Sequence, residues 1–230
     1  RWYVNALGDE FQFTLAGSSW QSIKIDYDRS IVYVDKAKSS LPPRWMSDSG
    51  FFSYELSQEI LEILTSEKSY DFLNEIELSI LSTYREEEAM AGLKKDTLLV
   101  EERRDGFIIT TYAGNQVNYT IANSIRIQFN CFDIINLTWK GFKLKCDSRD
   151  ELPTLTALIQ AINQIENEDF FIKGNKNKLI ELVPDISFSK YQKYLPAKMR
   201  KEQSAEYVYD IETTLVYLDT VEVLGYKDLL

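Results

Sequence analysis

Apolar and polar residues alternate with two different periods along this chain, and the switch of period marks where strands give way to helices. Residues 107–125 show both periods in succession. Phe107-Ile108-Ile109-Thr110-Thr111-Tyr112 is β-branched and aromatic and follows Asp105-Gly106, which predicts a strand entered through a tight turn. Gly114-Asn115 breaks the strand, because both residues tolerate backbone conformations that others avoid. Asn115 is then placed to cap a helix starting at Gln116. Along that helix Val117, Ile121 and Ile125 recur every fourth residue, with Asn118, Ala122 and Arg126 as the neighbouring stripe. The rest of the chain is organised around this strand–turn–helix corner.

Before the corner, residues 11–15, 20–27 and 31–36 read as three short strands with turns at Gly17-Ser18-Ser19 and Asp28-Arg29-Ser30. Ser22, Lys24 and Asp26 alternate with Ile23, Ile25 and Tyr27, the period of a half-buried strand. A linker at 39–43 leads into Arg44-Trp45. A helix over 53–65 gathers Leu56, Ile60, Leu61, Ile63 and Leu64 on one side. A second, over 71–92, is expected to bury Phe72, Ile76, Ile80, Leu81 and Tyr84, leaving Arg85-Glu86-Glu87-Glu88 as a solvated face. A hairpin joins 97–103 to 107–112, and strands follow the central helix at 134–139 and 142–146.

Beyond residue 150 the pattern becomes helical. Leu155, Leu158, Ile159 and Ile162 line a helix over 152–165, helical pieces follow at 178–182 and 190–194, and Tyr207, Ile211, Leu215 and Leu218 keep helical spacing to about residue 223. The expected fold class is α+β. An antiparallel β meander and a mixed sheet with helices come first, followed by a mostly helical C-terminal subdomain. Residues 1–150 form the mixed α/β domain in this reading, and residues 151–230 the helical subdomain packed on it.

Composition narrows the chemistry. At 44% hydrophobic and 13% aromatic, the 230 residues can fill a core. No apolar run approaches the roughly 20 residues of a membrane span, and no signal-peptide pattern opens the chain. A cytoplasmic piece of a longer polypeptide is therefore expected. There is no histidine, which excludes Ser-His-Asp and Cys-His catalysis, an imidazole base and the usual zinc sites within these residues. Cys131 and Cys146 read as free thiols. The net charge of −10 argues against wholesale attraction to nucleic acid. Its distribution matters more. Residues 1–90 carry 8 basic and 16 acidic side chains, a net of −8, whereas residues 173–201 carry 8 basic against only Glu181 and Asp185, a net of +6.

Several catalytic signatures are missing. No Gly-Lys pair occurs, so no phosphate-gripping loop is present. No lysine has Asp or Glu two residues before it, which removes a restriction-type nuclease motif. The carboxylates are plentiful but show no motif-specific spacing. These residues are expected to be non-catalytic, with no metal and no cofactor of their own.

Short stretches in a fixed order carry a resemblance. They are Phe13 to Ala16 leading to Trp20, Ile31-Val32-Tyr33-Val34, Pro43-Arg44-Trp45, Leu56-Ser57-Gln58-Glu59-Ile60, Thr111-Tyr112-Ala113-Gly114 with Asn118, and Phe188-Ser189 with Leu195-Pro196. Together they resemble the region C-terminal to the motor in bacterial Lhr-like DEAD/DEAH-box helicases of superfamily 2, with Asn115 where that corner carries a second glycine. The resemblance implies an accessory fragment of an ATP-dependent helicase that helps guide single-stranded DNA or RNA and braces the motor lobes. ATP and Mg would then belong to motor domains of the same chain that are absent here, and no membrane partner is implied.

In that setting, lysines and arginines that neutralise phosphates plus a few stacked aromatics suffice for binding. The candidates for backbone contacts are Asn118, Arg126, Lys190, Lys193, Lys198 and Arg200, with Trp45 or Trp139 as stacking platforms. Each has a plainer role open to it. Asn118 can satisfy loop backbone, the tryptophans can pack in a core, and the lysines can serve solubility. The competing reading of the whole chain is a protein-interaction scaffold whose acidic first half docks a partner.

Overall fold

A computed structural model describes residues 12–15, 17–26, 29, 31–38, 51–183 and 191–227, which fall into two compact units, 1–50 and 51–230. In the first unit, β1 (Gln12–Leu15), β2 (Ser18–Asp26) and β3 (Ile31–Lys36) form an antiparallel meander in the order β1-β2-β3. Phe13 lies opposite Trp20, and Ile25 opposite Val32. The register shifts between Ser22 and Lys24, an irregularity that bends a strand and breaks its inside–outside alternation. Ser22 is accordingly buried while Ile23 is exposed.

The second unit begins with α1 (Tyr54–Thr65), capped by Ser53, whose side chain accepts from the Leu56 amide, and α2 (Glu75–Met90), which opens on a capping box between Asn74 and Glu77. The chain continues through β4 (Thr97–Arg103), β5 (Gly106–Thr110), α3 (Gly114–Gln128), β6 (Phe132–Ile135) and β7 (Gly141–Cys146). Then come α4 (Leu155–Ile165), a short turn at Glu168–Phe170, a wide turn at Phe171–Asn175, α5 (Lys176–Leu182), a 3-10 turn at Gln192–Tyr194, α6 (Ala197–Val208), α7 (Ile211–Thr220) and β8 (Glu222–Lys227). The fold is α+β, with a mostly helical final third.

The five-stranded sheet runs β6-β7-β5-β4-β8, antiparallel except for the parallel pair β4–β8. Alternating residues Leu98 and Val100, Phe107 and Ile109, and Phe142 and Leu144 send their side chains into one core, where they meet Val117, Ile121 and Ile125 of α3. Leu158, Ile162 and Ile165 of α4 and Tyr217 and Leu218 of α7 close it. Burying each large aliphatic side chain is worth about 1.5–3 kcal/mol. α3 is enclosed, touching α1, α4, α5, α6, α7, β6 and β7. Two of its buried polar residues bond back along the helix: Thr120 Oγ1 donates to Gln116 O and Asn123 Nδ2 to Tyr119 O.

Two sequence expectations fail here for physical reasons. The last segment does not remain helical: after α7 it returns as β8 beside β4, with Leu98 opposite Val223. The run Glu222-Val223-Leu224-Gly225-Tyr226 is short and lacks clean alternation, so its helix-like spacing upstream masked a strand. The second failure concerns α2. Phe72, Ile76, Ile80 and Tyr84 are exposed at 81, 73, 51 and 56%, and only Leu81 of the expected set is half-buried. α2 is held by the opposite side: Arg85 donates from Nε to Ile63 O and from Nη2 to Lys68 O, both at 2.9 Å, and Glu88 pairs with Lys140. Specific polar anchors have overridden the usual rule that an apolar stripe faces inward.

Candidate nucleic-acid interface

The turn after β5 is built by three consecutive devices. Thr111 and Tyr112 both donate their amides to Lys140 O, and Tyr112 adopts φ +52° as the chain reverses. Gly114 has φ +81°, and a Cβ there would lie 2.8 Å from Phe52 O. Only glycine permits this approach. Asn115 is therefore not a helix cap. Its amide donates to Phe52 O at 3.1 Å and its Oδ1 accepts from Phe52 N at 2.9 Å, a two-way clasp on the segment preceding α1, while α3 begins one residue earlier without a side-chain cap.

Asn118 sits behind this clasp with no exposed surface. Its Oδ1 accepts from Thr111 Oγ1, and its Nδ2 donates to Thr138 O at 2.8 Å and Trp139 O at 3.2 Å. Both donors and the acceptor are used by protein, so no phosphate can reach this amide. Of its two possible roles, Asn118 takes the bracing one. Trp139 is half-buried, stacked on Phe52 at 5.4 Å and 19° and edge-on to Tyr112 at 5.4 Å and 76°. These contacts lock the indole into the corner. Lys140 stands over the Tyr112 ring, 5.3 Å from its centre. Burial pushes the Tyr112 phenol up to about 12, against the opposing pull of Lys140.

Cationic residues collect elsewhere. Arg126 occupies the last turn of α3, where a positive charge complements the helix carboxyl end. It lines a cleft of about 350 Å³ with Ile127 and Asn130, facing Lys178, Glu181 and Leu182 of α5. Its Nη1 reaches Asn123 Oδ1 at 3.4 Å, and among the described residues neither Arg126 nor Lys178 has an ion-pair partner. α6 packs against α5, Lys201 Nζ donating to Glu181 O at 3.1 Å. Beside it Arg200 Nε is enclosed with no acceptor among the described residues. Lys198 is well exposed and only loosely paired with Glu202 at 3.8 Å, a contact of small energetic weight.

Thus Arg126 is brought to the basic stretch across about 50 residues of sequence, an association its spacing could not reveal. The backbone of Lys193 lies in the 3-10 turn just before α6, whereas Lys190 and Trp45 lie outside the described residues. Two residues missed by sequence reasoning lie in the same basic stretch of the chain. Tyr191 and Tyr194 flank Lys193 with 64 and 75% of their surface exposed. The signal was present as aromatics interleaved with lysines over 190–201. Lys178 and Lys201 were counted in the basic stretch but not singled out.

Burial, with Cys146 nearby, pushes the Cys131 thiol up to about 11, away from a nucleophilic thiolate. Among the described residues no group of three or more Cys, Asp or Glu side chains is arranged to hold a metal ion. No described helix is long and apolar enough to cross a membrane. The arrangement defines an α+β scaffold with a cleft between α3 and α5 lined by Arg126 and Lys178. The chain matches no known family model, no curated protein sequence and no solved structure.

Proposed function

We propose that this chain is a non-catalytic accessory module of an ATP-dependent DEAD/DEAH-box helicase of superfamily 2, guiding single-stranded nucleic acid and bracing the motor lobes in the cytoplasm. The observation that carries the reading is the cleft between α3 and α5 lined by Arg126 and Lys178, neither of them ion-paired among the described residues, with Lys201 bonded to its wall at Glu181 O and with Arg200, next to Lys201 in sequence, keeping an enclosed Nε–H without an acceptor among the described residues. Unpaired cations at one place are what a phosphodiester backbone displaces counterions to reach. Tyr191 and Tyr194, exposed at the turn that precedes α6, supply sequence-tolerant stacking surface. The resemblance carried by the ordered motifs from Phe13 to Pro196 supports the family reading. Hydrolysis of ATP belongs to the motor lobes, and this module contributes path and rigidity, the latter through the Asn115–Phe52 clasp and the buried α3.

The test is anisotropy of labelled single-stranded DNA and RNA over a salt series. Four participating cations give a slope of log affinity against log salt of about −2 to −3 for a single strand. No saturable binding at low salt, or a slope near zero, contradicts the proposal.

A further inference from the structure

The exposed side of α2 presents a surface that the cleft does not use. Ile76, Ile80 and Tyr84 succeed one another at i, i+4 and i+8, Phe72 precedes them and Met90, 83% exposed, ends the row. On a helical projection Met90, Thr83, Ile76, Glu87, Ile80 and Tyr84 share one face, with the carboxylate of Glu87 set between Ile76 and Ile80 and with Glu75 and Glu86 bordering one side and Glu77 the other. A row of exposed large apolar side chains of this kind marks an interaction site in a folded protein. The helix cannot turn this side inward. Its opposite side is fixed by Arg85 on the carbonyls of Ile63 and Lys68 and by Glu88 on Lys140.

We infer that this face docks an amphipathic helix of a partner protein or domain whose apolar row is flanked by lysine or arginine. The charges choose that occupant. α2 carries Glu75, Glu77, Glu86, Glu87 and Glu88 against a single arginine, and that arginine is turned toward α1. A second copy of this chain would bring the same acidic rim against itself, on a protein of net charge −10, and like charges across an interface reject a partner. Anionic lipid is disfavoured for the same reason. A helix with basic flanks instead places cations opposite Glu75, Glu86 and Glu87 while its apolar row covers Ile76, Ile80 and Tyr84, a helix-on-helix contact read at i, i+4 and i+8. The face is separate from the cationic cleft, so the two can be occupied independently.

The probe is a labelled synthetic helix of about 18 residues, patterned with leucine on one side and lysine on the other, and a sister peptide with glutamate for lysine. Anisotropy should show saturable binding of the lysine peptide, weakened at least about tenfold both by Ile76→Ser/Ile80→Ser/Tyr84→Ser and by Glu75→Lys/Glu86→Lys/Glu87→Lys, which leaves the Asn74–Glu77 capping box in place. All six positions are exposed, so circular dichroism should show both variants folded. Equal binding by the apolar triple variant would reduce the effect to general attraction by an acidic protein and overturn the proposal. Equal binding of the glutamate peptide would overturn the assigned partner chemistry. So would sedimentation showing a wild-type dimer that the serine variant dissolves, because the occupant would then be a second copy.

Discussion

Tyr217 donates its phenol hydrogen to the carbonyl oxygen of Thr111, 2.9 Å away and 106 residues earlier in the chain. The bond ties α7 to the reversal between β5 and α3, within a site where both residues are almost wholly buried. Tyr217→Phe keeps the ring and removes the donor, so the Thr111 carbonyl loses this buried partner. The expected loss of stability is about 1–3 kcal/mol in urea unfolding. An unchanged midpoint would mean that the bond is not maintained in solution.

Gly114 is the most constrained residue of the corner. Gly114→Ala combines a left-handed φ with a Cβ less than 3 Å from the backbone of Phe52 and Ser53, so the clasp made by Asn115 must open or α1 must shift. Strain at such positions costs about 1–3 kcal/mol. The variant should melt well below the wild type and show faster amide exchange at Phe52 and Asn115. Wild-type stability would contradict the observed approach.

High pH should unfold the protein cooperatively. Burial raises the phenol pKa of Tyr112 to about 12, and raises those of Tyr209 and Tyr217 as well. These groups stay protonated in the fold while an unfolded tyrosine ionises near 10. Their stabilising contribution is thus complete below about pH 10 and declines as pH rises through the folded values. Lys140 works in the same direction, since Glu88 and Tyr112 outweigh its burial and hold its pKa up. Tyrosinate absorbance should show part of the 14 tyrosines ionising late, together with loss of circular dichroism. Ionisation of all tyrosines near pH 10 with the fold intact would contradict this.

What the sequence made legible follows from where local chemistry dominates. β5, the Gly114 break and α3 were readable because β-branched residues, glycine and a four-residue apolar period agree there. The role of Asn115 was not readable, because its partner Phe52 lies 63 residues away. Nor was the exposure of α2, since apolar spacing records which side of a helix is apolar and not whether the same chain covers it. The cationic cleft was half legible: the charge run at 173–201 was plain, but its meeting with Arg126 depends on packing of α3 against α5. Trp139 illustrates the reverse case, a prominent aromatic taken up by Phe52 and Tyr112.

The central claim is that single-stranded nucleic acid is held at the cleft of α3, α5 and α6, and a pair of charge reversals tests it most directly. Arg126→Glu/Lys178→Glu/Lys201→Glu changes three cations at the cleft, and Lys94→Glu/Lys95→Glu/Arg104→Glu changes three exposed cations on the α2–β4 and β4–β5 loops. Both alter net charge equally. Measured by oligonucleotide anisotropy at low salt, the cleft variant should lose at least about tenfold in affinity and flatten its salt slope by about 2. The loop variant should lose no more than about threefold, the long-range effect of net charge alone. Equal losses from the two triples would contradict a localised site and remove the basis for the nucleic-acid reading.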